Sequence, residues 1–172
     1  MRRSLVVLGL VAVFVIAAAP AGAFDFNVSA GMDFAGDFDN FDFGTETGYS
    51  LGIEVCFDIP IVEVGVGLEY GFPRDTDLGN VDIDYTYLYA VGRLGFIGPL
   101  YFAARVGYSD ISVSGLIGDE ADGGETWSVG IGAEFFDKLK VEALLNNFSG
   151  ELSGVHSNFD YQTYSLKVLY TF

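Results

Sequence analysis

Apolar and polar residues alternate along most of this 172-residue chain. The last strand-length stretch shows the pattern most clearly, because every second side chain is apolar and polar ones stand between, with Leu169 as the one exception. The apolar positions are Tyr164, Leu166, Val168, Tyr170 and Phe172. Alternation with a period of two predicts a β-strand with one apolar and one polar face.

Seven further segments after residue 23 follow the same rule. They cover residues 26–34, 49–57, 62–70, 85–96, 100–108, 127–135 and 139–147. The fourth is less regular because both faces carry apolar residues; placing Leu88, Ala90, Leu94 and Phe96 outward turns Arg93 inward. Each segment is near the roughly 9–11 residues that a tilted strand needs to cross a bilayer. The pattern therefore predicts eight strands.

The connections between these segments alternate in length. Turns near residues 59, 97 and 137 are short, whereas four connections are long and polar: 35–48, 73–84, 109–125 and 149–160. This alternation indicates an up-and-down meander of hairpins. A free sheet edge invites aggregation, and closing the sheet into a barrel removes that edge. We predict an all-β, eight-stranded antiparallel barrel with short turns at one rim and long loops at the other.

The first 23 residues have a different pattern. Basic residues 2–3 precede an apolar run over 5–19, and residues 21–23 form a small-residue cleavage site. The run is shorter than the roughly 20 residues of a membrane-spanning helix. This order is typical of a secretory signal peptide. We expect cleavage after Ala23, which leaves one barrel domain over 24–172.

Periodicity alone does not say which way the apolar face points. A soluble eight-stranded barrel such as a lipocalin would point it inward around a ligand. Here the other face is rich in glycine and carries isolated charges, which suits a crowded interior better than a solvated exterior. The apolar face also bears aromatic residues toward the strand ends, as membrane-interface girdles do. They are Tyr49, Phe57, Tyr70, Phe96, Tyr108, Trp127, Phe135, Tyr170 and Phe172. We therefore predict a transmembrane barrel.

The chain resembles the small eight-stranded barrels of bacterial outer membranes, such as the OmpA transmembrane domain and OmpX. The resemblance covers residues 24–172 and rests on the strand number, the loop asymmetry and the terminal Tyr170-Thr171-Phe172. It implies an outer-membrane location after export through the periplasm, with short turns facing the periplasm and long loops facing outside. It also implies that the barrel-insertion machinery reads the last strand through Tyr164, Leu166, Val168, Tyr170 and Phe172.

Charges of both signs fall on the inward face. The strand assignments place these residues inside: Glu54, Glu63, Glu69, Arg93, Arg105, Glu134 and Lys167. The less regular seventh segment adds Glu142 and Lys140. A buried charge without a partner costs several kcal/mol, and eight strands enclose a space that side chains can just fill. We expect a network of Arg–Glu and Lys–Glu pairs that fills the lumen, in preference to a conduction path.

The remaining charge is strongly acidic. The net charge of −16 becomes −18 once the signal peptide, with Arg2 and Arg3, is removed. So acidic a protein is not expected to bind nucleic acid. The four long loops hold fifteen Asp and Glu against one Arg. None of their acidic clusters matches an EF-hand, and solvation with mutual repulsion accounts for them, so we predict no metal or cofactor.

These features predict the partners. We expect a monomer surrounded by outer-membrane lipid and lipopolysaccharide, with the four loops as the surface for an extracellular partner.

A catalytic role has one candidate. His156, Ser157 and Asn158 superficially resemble the His-x-Ser-Asn motif of lipid A deacylases, but here His and Ser are adjacent, so their side chains diverge. A Ser–His pair without the right geometry does not generate a nucleophile. We predict no catalytic residues and a non-enzymatic structural or surface-interaction barrel. A small channel or transporter is the alternative, and a lipid A-modifying enzyme has weaker support.

Overall fold

A computed structural model shows the chain as a closed antiparallel β-barrel and describes residues 24–34, 36–38, 44–59, 61–76, 82–114, 121–152 and 157–172. The strands are β1 (Phe24–Asp33), β2 (Gly36–Phe38), β3 (Gly44–Thr45), β4 (Gly48–Ile59), β5 (Val62–Asp75), β6 (Asp82–Ile97), β7 (Leu100–Ser114), β8 (Ala121–Phe135), β9 (Leu139–Leu152) and β10 (Ser157–Thr171). β1 and β4 to β10 form the wall, and β1 pairs with β10 to close it. The predicted eight-stranded meander is confirmed.

The short strands β2 and β3 extend the first hairpin beyond β1 and β4. β2 pairs with β10, β3 pairs with β2, and Thr45 bridges to Thr76 just past the end of β5. These pairings keep the ring of strands continuous at the rim where the long connections lie. No helix in the described ranges is long and apolar enough to span a membrane.

Short turns occupy one rim, as the sequence predicts. Ile59 pairs with Val62, and Ile97 pairs with Leu100, so each of these turns contains two residues. The second turn begins at Gly98, whose φ of 55° lies in the left-handed region that glycine enters without a steric penalty. Turns this tight hold neighbouring strands in register.

At the opposite rim the strands extend further than the predicted loop limits allow. β5 continues to Asp75 and β6 begins at Asp82, and β7 to β10 extend in the same way into 109–125 and 149–160. Strand pairing satisfies the backbone hydrogen-bonding groups of these segments. The long connections are therefore largely paired hairpins in the part of the chain that the structure describes.

Two belts follow from the burial pattern. In the apolar belt, which includes residues 88–97 of β6 and 164–172 of β10, apolar side chains such as Leu94 and Tyr164 lie exposed on the outer face. In the hairpin belt, which includes 82–87 of β6 and 157–163 of β10, outer residues such as Asp82, Thr86 and Gln162 are polar. Its large inner residues are Ile or aromatic: Ile83, Tyr85, Tyr87, Phe159 and Tyr161. The predicted outward positions Leu88, Leu94 and Phe96 are all exposed.

Candidate functional site in the barrel lumen

The guanidinium of Arg93 lies at the centre of the charged lumen. Its Nη2 donates to Glu54 Oε2 at 2.6 Å, and its Nε donates to Glu142 Oε1 at 2.6 Å. Its Nη1 donates to Glu63. The three carboxylates come from β4, β9 and β5, each at an inward position of its strand. A single side chain on β6 thus links three other strands across the barrel.

Two more cations complete this cluster. Arg105 on β7 donates through Nη2 to Glu54 Oε1 at 3.0 Å and to Glu142 Oε2 at 2.5 Å. Lys140 on β9 pairs with Glu63. Three carboxylates therefore face three cations, so the cluster is neutral. Charge balance of this kind is what makes ionised groups tolerable away from water.

Tyrosine hydroxyls supply further hydrogen bonds to the carboxylates. Tyr89 donates to Glu54 Oε1 at 2.9 Å, and Tyr101 donates to Glu142 Oε1 at 3.2 Å. Both carboxylates are at most 1% exposed. Burial this deep requires that acceptor positions be filled, and these two hydroxyls fill them.

Two further pairs lie nearer the hairpins. Lys167 pairs with Glu69, and Arg74 Nη2 lies 3.3 Å from Asp33 Oδ2. The Tyr85 hydroxyl stands between them, 2.7 Å from Asp33 Oδ2 and 2.9 Å from Glu69 Oε1. With these pairs included, the ion pairs of the described lumen join five carboxylates to five cations.

The structure brings most of the predicted lumen charges together. Six of them form ion pairs: Glu54, Glu63, Glu69, Arg93, Arg105 and Lys167. Glu142 and Lys140 join the same network. Glu134 is half-buried at the turn rim, opposite Lys140 in register, and takes no part in the ion pairs of the described lumen.

Sequence reasoning missed Arg74 and Asp33. The register between β5 and β6 shifts between Gly71 and Arg74, so Arg74 points inward although simple alternation from Gly71 would point it outward. Bulges of this kind change the parity of a strand. Alternation along β1 places Asp33 on the inward face, and this was the sequence signal that could have identified it as a lumen charge.

Aromatic rings fill the lumen beyond the charges. The Phe148 ring centroid lies 4.9 Å from that of Tyr85, 5.9 Å from that of Tyr87 and 5.8 Å from that of Tyr161. All four side chains are buried. Inward tyrosines on β6 explain why the fourth segment carries apolar residues on both faces.

A cavity of about 760 Å³ opens at the rim of short turns. It reaches inward as far as Arg93 and Tyr101, and Glu63, Glu134 and Lys140 line its sides. The ion-pair cluster forms its inner end. From that rim, the cavity therefore reaches as far as the ion-pair cluster.

One group of side chains has the composition of a metal site. Glu54, Cys56 and Glu63 each place a donor atom within 4.8 Å of the other two. Arg93 already contacts all three, since its Nη1 lies 3.5 Å from Cys56 Sγ in addition to the carboxylate contacts. The guanidinium supplies the positive charge that a metal ion would bring, so these residues do not fit a metal.

The predicted insertion segment lies on the outer face of β10. Its five apolar residues are all exposed there: Tyr164, Leu166, Val168, Tyr170 and Phe172. The Phe172 backbone N–H donates to Phe26 O at 3.0 Å, and the Phe26 and Phe172 rings lie 6.2 Å apart. The terminal residue therefore takes part in closing the barrel against β1.

The chain matches the family described as outer membrane protein beta-barrel domain over residues 5–172. The protein belongs to this family. It is an integral protein of the bacterial outer membrane, as the resemblance to small eight-stranded barrels implies, and the apolar belt faces lipid. The turn rim accordingly faces the periplasm and the hairpin belt faces outside.

Solved structures show the same fold at low sequence identity. Neisserial surface protein A is 14% identical with a TM-score of 0.57, covering 90% of this chain and 100% of that one. The N-terminal barrel of OprF from Pseudomonas aeruginosa is 15% identical with a TM-score of 0.59, covering 86% and 97%. Ail from Yersinia pestis is 10% identical with a TM-score of 0.59, covering 87% and 99%. No curated protein sequence matches the chain.

Two interpretations of the sequence concern residues outside those described. The signal peptide over 1–23 and the side chain of His156 are both in this group. Ser157 begins β10, but its pairing with His156 is not defined. Both interpretations stay predictions.

Proposed function

We propose that this protein is a non-enzymatic, non-conducting barrel that holds acidic hairpins at the cell surface. The observation that carries the proposal is the neutral ion-pair cluster around Arg93, which ties β4, β5, β6 and β9 together across the lumen. Opening a path would separate buried charges from their partners, and each broken pair of this kind costs several kcal/mol.

The hairpin belt supports a role outside the cell. Its exposed acidic residues include Asp37, Glu46, Asp75, Asp82, Asp110, Glu125 and Asp160. The described arginine of this region, Arg74, is buried. A surface with this charge attracts a cationic partner and repels an anionic one.

A similar structure offers an instructive contrast. Ail has been solved with the heparin analogue sucrose octasulfate, a highly anionic ligand. The exposed acids of this chain would oppose such a ligand. We therefore propose that its extracellular partner carries a basic surface.

Conductance in planar bilayers tests the closed lumen. The folded protein should give no stable channels. A double variant, Arg105→Ala with Glu142→Ala, removes one cation and one anion, keeps the lumen neutral and should give measurable conductance. Heat modifiability on a gel confirms that both proteins are folded. Large, stable channels from the unmodified protein would contradict the proposal and support the small-channel alternative.

Binding to defined polyions tests the outer surface. Protein in nanodiscs should bind a polylysine peptide and ignore heparin, and the binding should weaken as salt rises, because exposed charges are screened within about 10 Å at 0.1 M salt. Replacing Asp75 and Asp82 with Asn should also weaken the binding of polylysine. Equal binding of heparin would exclude a basic partner.

A further inference from the structure

The cavity at the rim of short turns occupies the periplasmic end of the lumen, on the side of the membrane opposite the hairpins. Its volume of about 760 Å³ lies within the range of about 300–1,000 Å³ that is usual for small-molecule sites. Gly95 leaves this space open, because it takes an inward position on β6 without a side chain. A Cβ there would meet only the backbone oxygen of Ile61, at 3.7 Å. This space, the rim cavity, therefore suits a small molecule that enters from the periplasm.

Acidic side chains line the rim cavity from opposite sides of the barrel. Asp58 lies near the end of β4, and Glu134 and Asp137 lie near the end of β8 and in the turn that follows it. Three strands separate β4 from β8 in either direction around the ring of eight. Negative groups therefore face each other across the mouth of the barrel, and a concave site of this kind concentrates a field that attracts cations.

The lysines and arginines of the described barrel are committed elsewhere. Of the eight in the chain, two belong to the predicted signal peptide. The Nζ of Lys138 lies 6.0 Å from the centre of the outward-facing Tyr170 ring. The ammonium that cleavage after Ala23 creates at Phe24 stands beside Asp25, which is itself acidic. The other five cations form the lumen ion pairs: Arg74, Arg93, Arg105, Lys140 and Lys167. Within the described residues, the three acids of the rim cavity thus form an ion pair with none of them.

These three acids do not converge on a metal ion. In the described ranges, the one group of three donor atoms within 4.8 Å of one another belongs to Glu54, Cys56 and Glu63, whose charge a guanidinium already neutralises. The acids without a cation are spread around the mouth instead, where Ile61 and Pro99 of two tight turns supply apolar lining. A ligand for this arrangement needs several positive groups that are separated by apolar segments.

We propose that the rim cavity binds a linear aliphatic polyamine, with one ammonium group at Asp58 and another at Glu134 and Asp137. Hydrogen bonds between ammonium and carboxylate groups are charge-assisted and roughly twice as strong as neutral ones. The alkyl segments between the ammonium groups cover Ile61 and Pro99 and remove apolar surface from water. The site faces the periplasm, so it does not depend on the partner proposed for the hairpins.

Titration calorimetry with spermidine tests the site, using the full protein in nanodiscs of zwitterionic lipid. The unmodified protein should bind one spermidine in a tight phase, followed by weaker binding to the exposed acids of the hairpins. Gly95→Phe fills the cavity, keeps every carboxylate and should weaken the tight phase roughly tenfold or more. Gly92→Phe adds the same ring on the outer face of β6, where a Cβ meets nothing within 4 Å, and should bind as the unmodified protein does.

A second pair of variants tests the charge without filling the cavity. Asp58→Asn with Asp137→Asn should weaken the tight phase roughly tenfold or more, because each change removes a charged hydrogen-bond acceptor. Asp37→Asn with Asp160→Asn removes the same charge from the hairpin belt and should leave the tight phase unchanged. A heat-modifiability gel confirms that each variant is folded.

Three outcomes would overturn the proposal. In the first, the tight phase is absent, or Gly95→Phe and Gly92→Phe change it equally. In the second, Mg²⁺ displaces spermidine at equal concentration, which would show that the acids collect counter-ions of any shape. In the third, a tri-lysine peptide binds more tightly than spermidine, which would make the occupant a lysine-rich protein segment.

Discussion

The apolar belt and the hairpin belt use the same strands with opposite chemistry. On β6 the outer residues change from Leu88 in the apolar belt to Thr86 and Asp82 in the hairpin belt. The inner residues change in the other direction, from Arg93 to Tyr85. The strand pairing between β6 and β7 runs through this boundary without a shift.

The difference shows what selects each residue. Outer positions follow the surrounding solvent, lipid in one belt and water in the other. Inner positions must fill the same narrow space in both belts, and they fill it mainly with paired charges in the apolar belt and mainly with aromatic rings in the hairpin belt. The two interiors should therefore fail in different ways when a side chain is removed.

The largest effect is expected from Arg93→Ala. The change leaves Glu54, Glu63 and Glu142 with less positive charge than they need, and breaking a buried pair of this kind costs about 3–5 kcal/mol. Urea unfolding in lipid vesicles, followed by Trp127 fluorescence, measures the loss in the free energy of unfolding.

Glu134→Gln is the matched control for that change, since Glu134 lies near the same cluster without joining its ion pairs. It should alter the free energy of unfolding by less than about 0.5 kcal/mol. Equal losses for Arg93→Ala and Glu134→Gln would show that the ion pairs do not stabilise the apolar belt.

Phe148→Ala should weaken the hairpin belt by about 3 kcal/mol, because it removes a buried ring packed against three others. Protease should then cut the hairpins in intact cells faster, while the barrel stays heat-modifiable on a gel. Phe135→Ala, which removes a lipid-facing ring, should leave the cutting rate unchanged. If both variants are cut alike, the rings do not hold the hairpins.

A smaller difference is expected between glycine-to-alanine changes on the inner and on the outer face of the apolar belt. A Cβ at Gly107 would lie 1.9 Å from the backbone oxygen of Leu88, whereas a Cβ at Gly92 meets nothing within 4 Å. Gly107→Ala should therefore cost about 1–3 kcal/mol in the free energy of unfolding. Gly92→Ala should be close to neutral, and the same urea titration compares them.

The smallest effect concerns pH in the hairpin belt. Asp82 lies outside the apolar belt, directly opposite Asp75, and a hydrogen bond with Asp75 raises the pKa of Asp82. The folded hairpin then holds that proton more tightly than the open one, so its stability should increase as pH falls from 7 toward about 4. Hydrogen exchange, corrected for intrinsic rates, measures this local stability.

Asp82→Asn removes the titrating group of that pair. The variant hairpin should be more stable than the unmodified one at pH 7 and should lose most of the pH dependence. An unchanged pH dependence would show that a group other than Asp82 causes the change in hairpin stability.

The sequence predicted the wall of the barrel well because lipid enforces a strict rule on outer residues. Alternation located all eight strands, and it turned Arg93 and Arg105 inward correctly by parity alone. The rule breaks at Arg74, where a bulge changes the parity of β5. Pro73 lies within this bulge, and a proline inside a strand pattern marks a bulge or an edge, so the sequence did contain a local signal at this position.

The hairpins were harder to predict for a different reason. Polar residues dominate 73–84 and 109–125, and a polar segment resembles a loop when only its composition is considered. Ile83, Tyr85 and Ile111 point inward, which shows that alternation continues in these segments. The apolar residues lie on the inner face there, whereas in the apolar belt they lie on the outer face. Pairing partners such as Glu142 for Arg105 also lie on different strands, so only the closed ring brings them together.

The carboxylates that pair with Arg93 lie on β4, β5 and β9. Two of these strands precede β6 in the chain, and the third is the last strand but one. A partly assembled sheet that ended before β9 would expose this guanidinium and its first two carboxylates without the third. Such an intermediate would place ionised groups beside hydrocarbon, which makes it short-lived within the bilayer. Seam formation between β1 and β10 and neutralisation of the interior should thus occur as a single cooperative step during biogenesis.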